Sequence, residues 1–412
     1  MENKKDFKNT LKILLLSVLI GLSGGVLGTL FSKCIALVTG VRSNTSWLIY
    51  FLPIAGFLIV FIYDKLKVTG VGTNQVIKNC TGETKLSPLI TPAIFVCSAI
   101  SHLFGASVGR EGAALQLGGG LTSLFERIFK LEDEETQILT YCGMAALFSA
   151  VFGTPIAAFI FALQIVFVWK IRFKAVVPTF VSSLIAYSFA VLLGSHPERF
   201  HIGNIPNFSG LLLLSVVSFS VLCGFVAMFF CYSIEWCEKL FKKLFKNAYL
   251  RVAAGGIVTV VLTLLVKCND YNGAGVNIIE KIFEEGEFKP EAFFVKMVFT
   301  CIAVAAGYKG GEIVPTLFIG ATFGALLASI VGLPVAFGAV IGMTALFCGV
   351  TNCPLAAIAL SLEMFSGKCA LYIIIASIIA FFVSGNISLY SAQKPYSLKQ
   401  FFKFLKKSLK NT

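Results

Sequence analysis

The sequence predicts an all-α polytopic membrane protein, and three observations carry that expectation. Of 412 residues, 57% are hydrophobic and only 13% are charged, against roughly a quarter charged in an average soluble domain. So few charges cannot cover the water-facing surface of a chain this long. The apolar residues come as continuous runs, not as period-two alternation, which favours helices over a transmembrane barrel. Several runs are shorter than the roughly 20 residues of a full span, and Gly or Pro interrupts them at matching places in two halves of the chain. An ordinary cytosolic enzyme, a disordered chain and a disulfide-stapled secreted domain are excluded on the same grounds.

Taken in order, the apolar runs fall near 11–38, 47–63, 89–107, 113–130, 137–169, 175–194, 209–235, 251–267, 292–306, 315–332, 335–349, 354–365 and 369–384. The first follows Lys4, Lys5 and Lys8 and is too long for the core of a cleaved signal, so it is expected to be a retained first transmembrane helix. The organisation expected from these runs has four parts. Residues 1–10 form a cytoplasmic tail, 11–208 a first membrane repeat, 209–384 a second, inverted repeat, and 385–412 a terminal segment with a short basic cytoplasmic tail.

The repeat is visible in the residues. GMAALFSAVFGTPIAAFIFALQIV (143–166) aligns without a gap to GMTALFCGVTNCPLAAIALSLEMF (342–365), with ten of 24 positions identical. Gly109-x-Glu111 and Gly310-x-Glu312 face each other upstream, within two residues of the same spacing. Charge sets the two halves in opposite orientations. Basic residues precede the first run of the first half and follow its GTP-containing run (Lys170, Arg172, Lys174). In the second half they follow the first run instead (Lys239, Lys242, Lys243, Lys246). The positive-inside rule then places both termini in the cytoplasm and the acidic stretches 132–135 and 284–287 outside. The net charge of +13 reads as this topology signal, not as a nucleic-acid surface. Cys34, Cys97, Cys142, Cys223, Cys231, Cys301 and Cys348 lie inside apolar runs and read as small apolar filler. With three His and no CxxC pair, no metal or cofactor is implied.

The chemistry concentrates in two glycine-rich breaks. GASVGREGAALQLGGG (105–120) carries Arg110 and Glu111 in an otherwise uncharged stretch, where a charge at the centre of a span costs about 2.5–3.5 kcal/mol on insertion scales. Two readings stand side by side. Arg110 and Glu111 balance each other in a protein interior, or the free N–H groups of Gly109, Arg110, Gly112 and their neighbours at a helix start hold an anion. In the second reading the Glu111 carboxylate competes with the anion for one pocket and leaves it on protonation, which links anion to proton. The mirror segment GYKGGEIVPTLFIG (307–320) offers Gly311, Glu312, Ile313 and Val314 just ahead of Pro315, a residue tolerated at a helix start. Glu312 either compensates the helix start or takes part in the same coupling. Gly70-Val71-Gly72-Thr73-Asn74 is a third glycine-rich turn, a plain loop or an approach to the ion from the cytoplasmic side.

GREGAALQLGG, the GTP-containing run and GYKGGEIVPTLFIGATFG, in that order, resemble the CLC family of anion channels and proton-coupled antiporters. The likeness runs from about residue 11 to 392. It implies a homodimer of CLC-type inverted-topology repeat protomers with many tilted and broken helices, each protomer with its own anion pathway. It also implies that Glu111 is the external gating glutamate, that Gly72 and Thr73 belong to the first anion-binding loop, and that the hydroxyl of Tyr390 faces the central anion. Tyr390 by itself reads as an interfacial anchor aromatic.

The departures from the chloride branch are specific. Gly70-Val71-Gly72-Thr73-Asn74 replaces Gly-Ser-Gly-Ile-Pro, Ala113 replaces a proline, Glu312 stands in a Gly-Gly-Glu motif, and Gln164-Ile165-Val166 lacks the internal proton-transfer acid. These features resemble the fluoride branch and imply fluoride/proton antiport at the plasma membrane, conferring fluoride resistance. Val314 stands where that branch often has Thr. The alternative is a chloride channel or chloride/proton exchanger of the same fold. Fluoride is small and strongly hydrated, so taking it from water demands dense donors, as N–H groups and the Thr73 and Tyr390 hydroxyls supply. Two acids near one anion would also make each other easier to protonate. An intramembrane enzyme using Glu111 and Glu312 as an acid/base pair lacks any accompanying metal triad or Ser–His pair in the sequence. A non-transporting scaffold leaves the paired acids unexplained. The expected partners are fluoride or chloride, protons, the lipid bilayer and a second copy of the chain.

Overall fold

In the computed structural model, residues 2–394 are described, with side chains from residue 8 onward. The basic tail residues Lys399, Lys403, Lys406, Lys407 and Lys410 lie outside the described residues. Among the described residues there are sixteen α-helices and no strand, only two isolated bridges. The helix α1 (Glu2–Asn44) extends beyond the first apolar run at both ends. A 3₁₀ turn (Ser46–Phe51) leads into α2 (Leu52–Lys65), which is followed by the short α3 (Thr73–Cys80), α4 (Ile90–Leu103) and α5 (Glu111–Phe129). Next come α6 (Asp133–Phe152), α7 (Pro155–Gln164) and α8 (Phe173–Leu192).

The second half opens with the long α9 (Gly210–Leu244), α10 (Ala248–Val266), the short α11 (Val276–Glu284) and α12 (Ala292–Ala306). It closes with α13 (Ile313–Ile330), α14 (Val335–Thr351), α15 (Pro354–Met364) and α16 (Ala370–Ser384). Six segments are long and apolar enough to cross a membrane: 8–44, 46–65, 173–192, 210–244, 248–266 and 313–330. Leucine and phenylalanine side chains such as Leu37, Phe173, Leu192, Leu211 and Leu265 are exposed on these helices. Such a surface is stable against hydrocarbon and not against water.

Local chemistry explains the breaks. Pro155 and Pro354 open α7 and α15, where the missing N–H removes nothing from the helix. Gly153 and Asn352 end the preceding helices in the left-handed region, at φ +77° and +55°. They occupy matching places in the aligned runs. Glu132 and Glu135 form a reciprocal capping box at the start of α6.

The centre of the molecule is built from α5, α6, α13 and α14, which touch through glycines. A methyl on Gly118 would stand 2.2 Å from the Gly143 carbonyl oxygen, and one on Gly342 would stand 2.1 Å from that of Gly320. Two helix backbones approach this closely only where neither carries a side chain, the usual device of packing within a membrane.

The ends of α7 and α15 cap each other. The Glu363 carboxylate accepts the N–H groups of Ile156 (3.1 Å) and Ala157 (2.7 Å) at the start of α7. Gln164, its aligned counterpart, accepts the Ala356 N–H (2.9 Å) at the start of α15. Each helix start has orphan N–H groups, and each opposing side chain satisfies them. The place that lacks an acid in the first half is therefore filled by a side chain committed to holding the two halves together.

Candidate ion-binding site

The two glycine-rich breaks meet. Gly109 N–H donates to the Gly311 carbonyl at 2.6 Å, and Gly311 N–H donates to the Gly109 carbonyl at 2.6 Å. This two-bond antiparallel bridge joins the segment entering α5 to the segment entering α13. It requires glycine: a methyl on Gly311 would stand 2.3 Å from the Gly112 nitrogen, and one on Gly112 would stand 2.6 Å from the Gly311 Cα. Two helix starts thus converge on one point, bringing Gly109, Arg110, Glu111, Gly112, Gly311, Glu312, Ile313 and Val314 together. The first N–H groups of each helix have no partner inside it, and Pro315 contributes none.

The two acids take different surroundings. Glu111 is fully buried and folds back onto its own turn. It accepts from the Arg110 backbone N–H at 3.1 Å and from Arg110 Nε at 3.2 Å. The Arg110 guanidinium also donates to Glu198, so it is engaged by two carboxylates. Glu312 is half-buried and opens on a cavity of about 200 Å³. Positions one turn apart tie the carboxylates to the same loop. A methyl on Gly109 would lie 3.1 Å from a Glu111 carboxylate oxygen, and one on Gly112 would lie 3.5 Å from one of Glu312.

That cavity also receives Gly72, Thr73 and Tyr390. Gly70, at φ +76°, and the extended Gly72 turn the chain so that α3 starts at Thr73 with its side chain buried. Tyr390 comes from far along the chain, and backbone bonds hold its segment in place. Leu389 N–H donates to the Val350 carbonyl at 3.0 Å, Ala392 N–H to Asn74 Oδ1 at 3.0 Å, and Lys394 N–H to the Val166 carbonyl at 3.1 Å. The Tyr390 hydroxyl is buried with no hydrogen-bond partner among the described residues.

Four residues that sequence reasoning missed belong here. Gln116 lines the same cavity, its Nε2 lies 3.4 Å from Thr73 Oγ1, and its Oε1 has no partner among the described residues. It is the lone polar side chain in GAALQLGGGL, a signal that was available. Lys309, stacked 4.2 Å from the Tyr63 ring centroid, and Glu238, paired with Lys242, stand where the cavity is bounded by α9 and the turn after α12. Glu198 sits in an irregular segment 88 residues from Arg110, and no local pattern announces their contact.

These features have counterparts among known proteins. The profile of the family described as "Voltage gated chloride channel" matches residues 55–385. A "Chloride/fluoride channel protein" of Pseudomonas syringae pv. tomato is 32% identical over 391 residues, covering 93% of this chain and 86% of that protein. An H⁺/Cl⁻ exchange transporter of Vibrio cholerae is 26% identical, over 87% of this chain and 82% of that one. The crystal structure of a CLC-type fluoride/proton antiporter superposes with a TM-score of 0.90 at 29% identity, covering 93% of this chain and 98% of that one. With four-fifths of its length matched by the family profile, and its helix starts paired across two repeated motifs, the chain belongs to the CLC family of voltage-gated chloride channels and their transporter relatives.

Proposed function

We propose that the protein is a fluoride/proton antiporter that exports fluoride across the plasma membrane in exchange for entering protons and so confers fluoride resistance. The observation that carries this reading is the half-buried Glu312 carboxylate. It opens on a cavity with the Thr73 and Tyr390 hydroxyls and is joined by the Gly109–Gly311 bridge to the helix that carries Glu111. In this scheme an anion in the cavity accepts from Tyr390, Thr73 and the free N–H groups of Ile313 and Val314. Fluoride, the strongest hydrogen-bond acceptor among the halides, gains most from such donors. Glu111 is the proton carrier and gate. While it is ionised it occupies the place of an anion at the α5 start. Once protonated it releases that place, so anion and proton alternate. Glu312 supplies a second protonatable donor beside the anion. Arg110 holds Glu111 in position through its Nε contact. Both termini are cytoplasmic in this reading, as the lysine distribution requires, and two copies assemble as a homodimer. The relatives named for fluoride support the choice of ion.

The chloride/proton exchanger named among the relatives keeps a second reading in view. Purified protein in sealed liposomes separates the two. Fluoride and chloride electrodes record efflux with and without an imposed pH gradient. Fluoride is expected to leave against its gradient when protons enter, and chloride to leave much more slowly. Chloride leaving as fast as fluoride would overturn the assignment.

The Tyr390 hydroxyl gives a smaller, sharper test. Its removal in Tyr390→Phe takes away one donor and keeps the ring that packs the cavity. One lost hydrogen bond is worth about 1 kcal/mol, so fluoride affinity should fall roughly fivefold. Calorimetric titration with fluoride checks this, and unchanged affinity would remove Tyr390 from the site.

A further inference from the structure

A groove of about 560 Å³ runs between α9, α10 and α12, on a different face of α9 from the Thr73 cavity. Its rim is apolar and exposed, with Phe229, Trp236 and Leu244 on α9 and Phe294 on α12. Its floor is buried, with Met297 at 2% and Cys301 at 3% exposure. Among the described residues no charged side chain lines it. From Phe229 to Leu244 it follows about 22 Å of α9, at a rise of about 1.5 Å per residue. One leaflet contributes roughly 15 Å of hydrocarbon. The groove is long enough, and apolar enough, for an acyl chain.

One end of the groove is basic. Lys243 and Lys246 flank Leu244 and Phe245, which line it, and both lysines are exposed. Arg251 lies three and seven residues before Ala254 and Val258, the α10 residues of the lining, and so shares their helix face. The neighbouring carboxylates are already engaged. Glu235 pairs with Lys239, Glu238 pairs with Lys242, and Asp64 accepts from the Tyr249 hydroxyl at 3.0 Å. Lys243, Lys246 and Arg251 form no ion pair among the described residues.

We infer that this groove binds an anionic phospholipid, with one acyl chain laid along α9 and the phosphate at Lys243, Lys246 and Arg251. The two parts of the ligand match the two parts of the site. The chain fills a concave floor that would otherwise lack packing partners, since dispersion contact and not water exclusion drives association inside a membrane. The charge supplies the selectivity, because a zwitterionic lipid brings no net charge to the three cations. In the orientation proposed above this end of α9 faces the cytoplasm, where anionic headgroups attract lysines beside a span. The match between groove and cations holds in either orientation.

Phosphatidylglycerol is the probe. In the full chain carrying Trp47→Phe and Trp169→Phe, Trp236 on the groove rim is the one tryptophan left. Phosphatidylcholine vesicles receive a small fraction of either lipid brominated on its acyl chains, and quenching of Trp236 reads contact. Brominated phosphatidylglycerol is expected to reach half-maximal quenching at a mole fraction about fivefold or more below that of brominated phosphatidylcholine, given roughly fivefold per cation at a charged headgroup. Lys243→Gln, Lys246→Gln and Arg251→Gln together should remove this preference. Ala254→Phe, which fills the groove and keeps the cations, should lower it as well. Equal quenching by the two lipids before these changes would show ordinary bilayer lipid at the rim and overturn the proposal. A preference that survives either change would overturn it too. Where a variant does not fold, native mass spectrometry of the unaltered chain decides. Phosphatidylglycerol retained in preference to phosphatidylcholine after detergent removal supports the site, and no preference overturns it.

Discussion

Replacing Glu111 by glutamine is expected to abolish proton-coupled anion movement while leaving the fold intact. Glutamine has nearly the shape of a glutamic acid, and its amide oxygen can replace one of the two carboxylate oxygens that now accept from the Arg110 backbone N–H (3.1 Å) and Nε (3.2 Å). Arg110 keeps Glu198 as a counter-charge. On the proposed function, what is lost is the ability to take up and release a proton, and with it the alternation between carboxylate and anion at the α5 start. Simultaneous fluoride and proton recording in sealed vesicles checks this. Uphill fluoride movement driven by a pH gradient should fall to the level of empty liposomes, a loss of about a hundredfold or more if the proton-carrying group works as general acid–base groups do. Proton-driven uphill transport surviving in the variant would show that Glu111 is not the carrier.

Gly311→Ala is expected to be strongly damaging, because its methyl clashes at the point where the two helix starts meet. Its Cβ would stand 2.3 Å from the Gly112 nitrogen and 2.6 Å from the Gly112 Cα. Both are backbone atoms, so no rotamer change relieves the clash. The bridge of two 2.6 Å bonds with Gly109 must open. Overpacking of this kind costs about 1–3 kcal/mol or more, and it moves the two helix starts that the proposed site needs within a fraction of an ångström. Transport should fall by at least about tenfold and the unfolding midpoint in detergent should drop. Gly203→Ala is the control: nothing lies within 4 Å of its added methyl, and it sits in an exposed segment. Equal losses in both variants, or full activity in Gly311→Ala, would show that the close approach does not matter.

The same contacts show why part of this site could be read in the sequence and part could not. The acids at 111 and 312 are visible because a charge inside an apolar run is costly and has to be explained. The glycines around them are visible because helix starts need exposed N–H groups. Gln116 carried a signal of the same kind, one polar side chain in a run of ten. Arg110 was expected to help hold an anion, and the structure shows its guanidinium bound by Glu111 and Glu198. The sequence had no means of pairing residues 110 and 198, since nothing periodic connects them. Tyr390 was placed by resemblance; its path into the cavity depends on bonds to Val350, Asn74 and Val166 that come from three separate helices or their ends.

Composition and the run-by-run pattern determined by themselves that this chain is helical and built for lipid, because burial of backbone polar groups within each segment is a local requirement. The internal alignment likewise marked which breaks correspond. Only the packed structure decided that Gly109 meets Gly311, that Glu363 and Gln164 cap each other's helices, and that Glu111 and Glu312 have separate surroundings. Those outcomes depend on how closely backbones approach across some two hundred residues of chain. Close-packed glycine contacts settle that distance, and a one-dimensional pattern does not encode it.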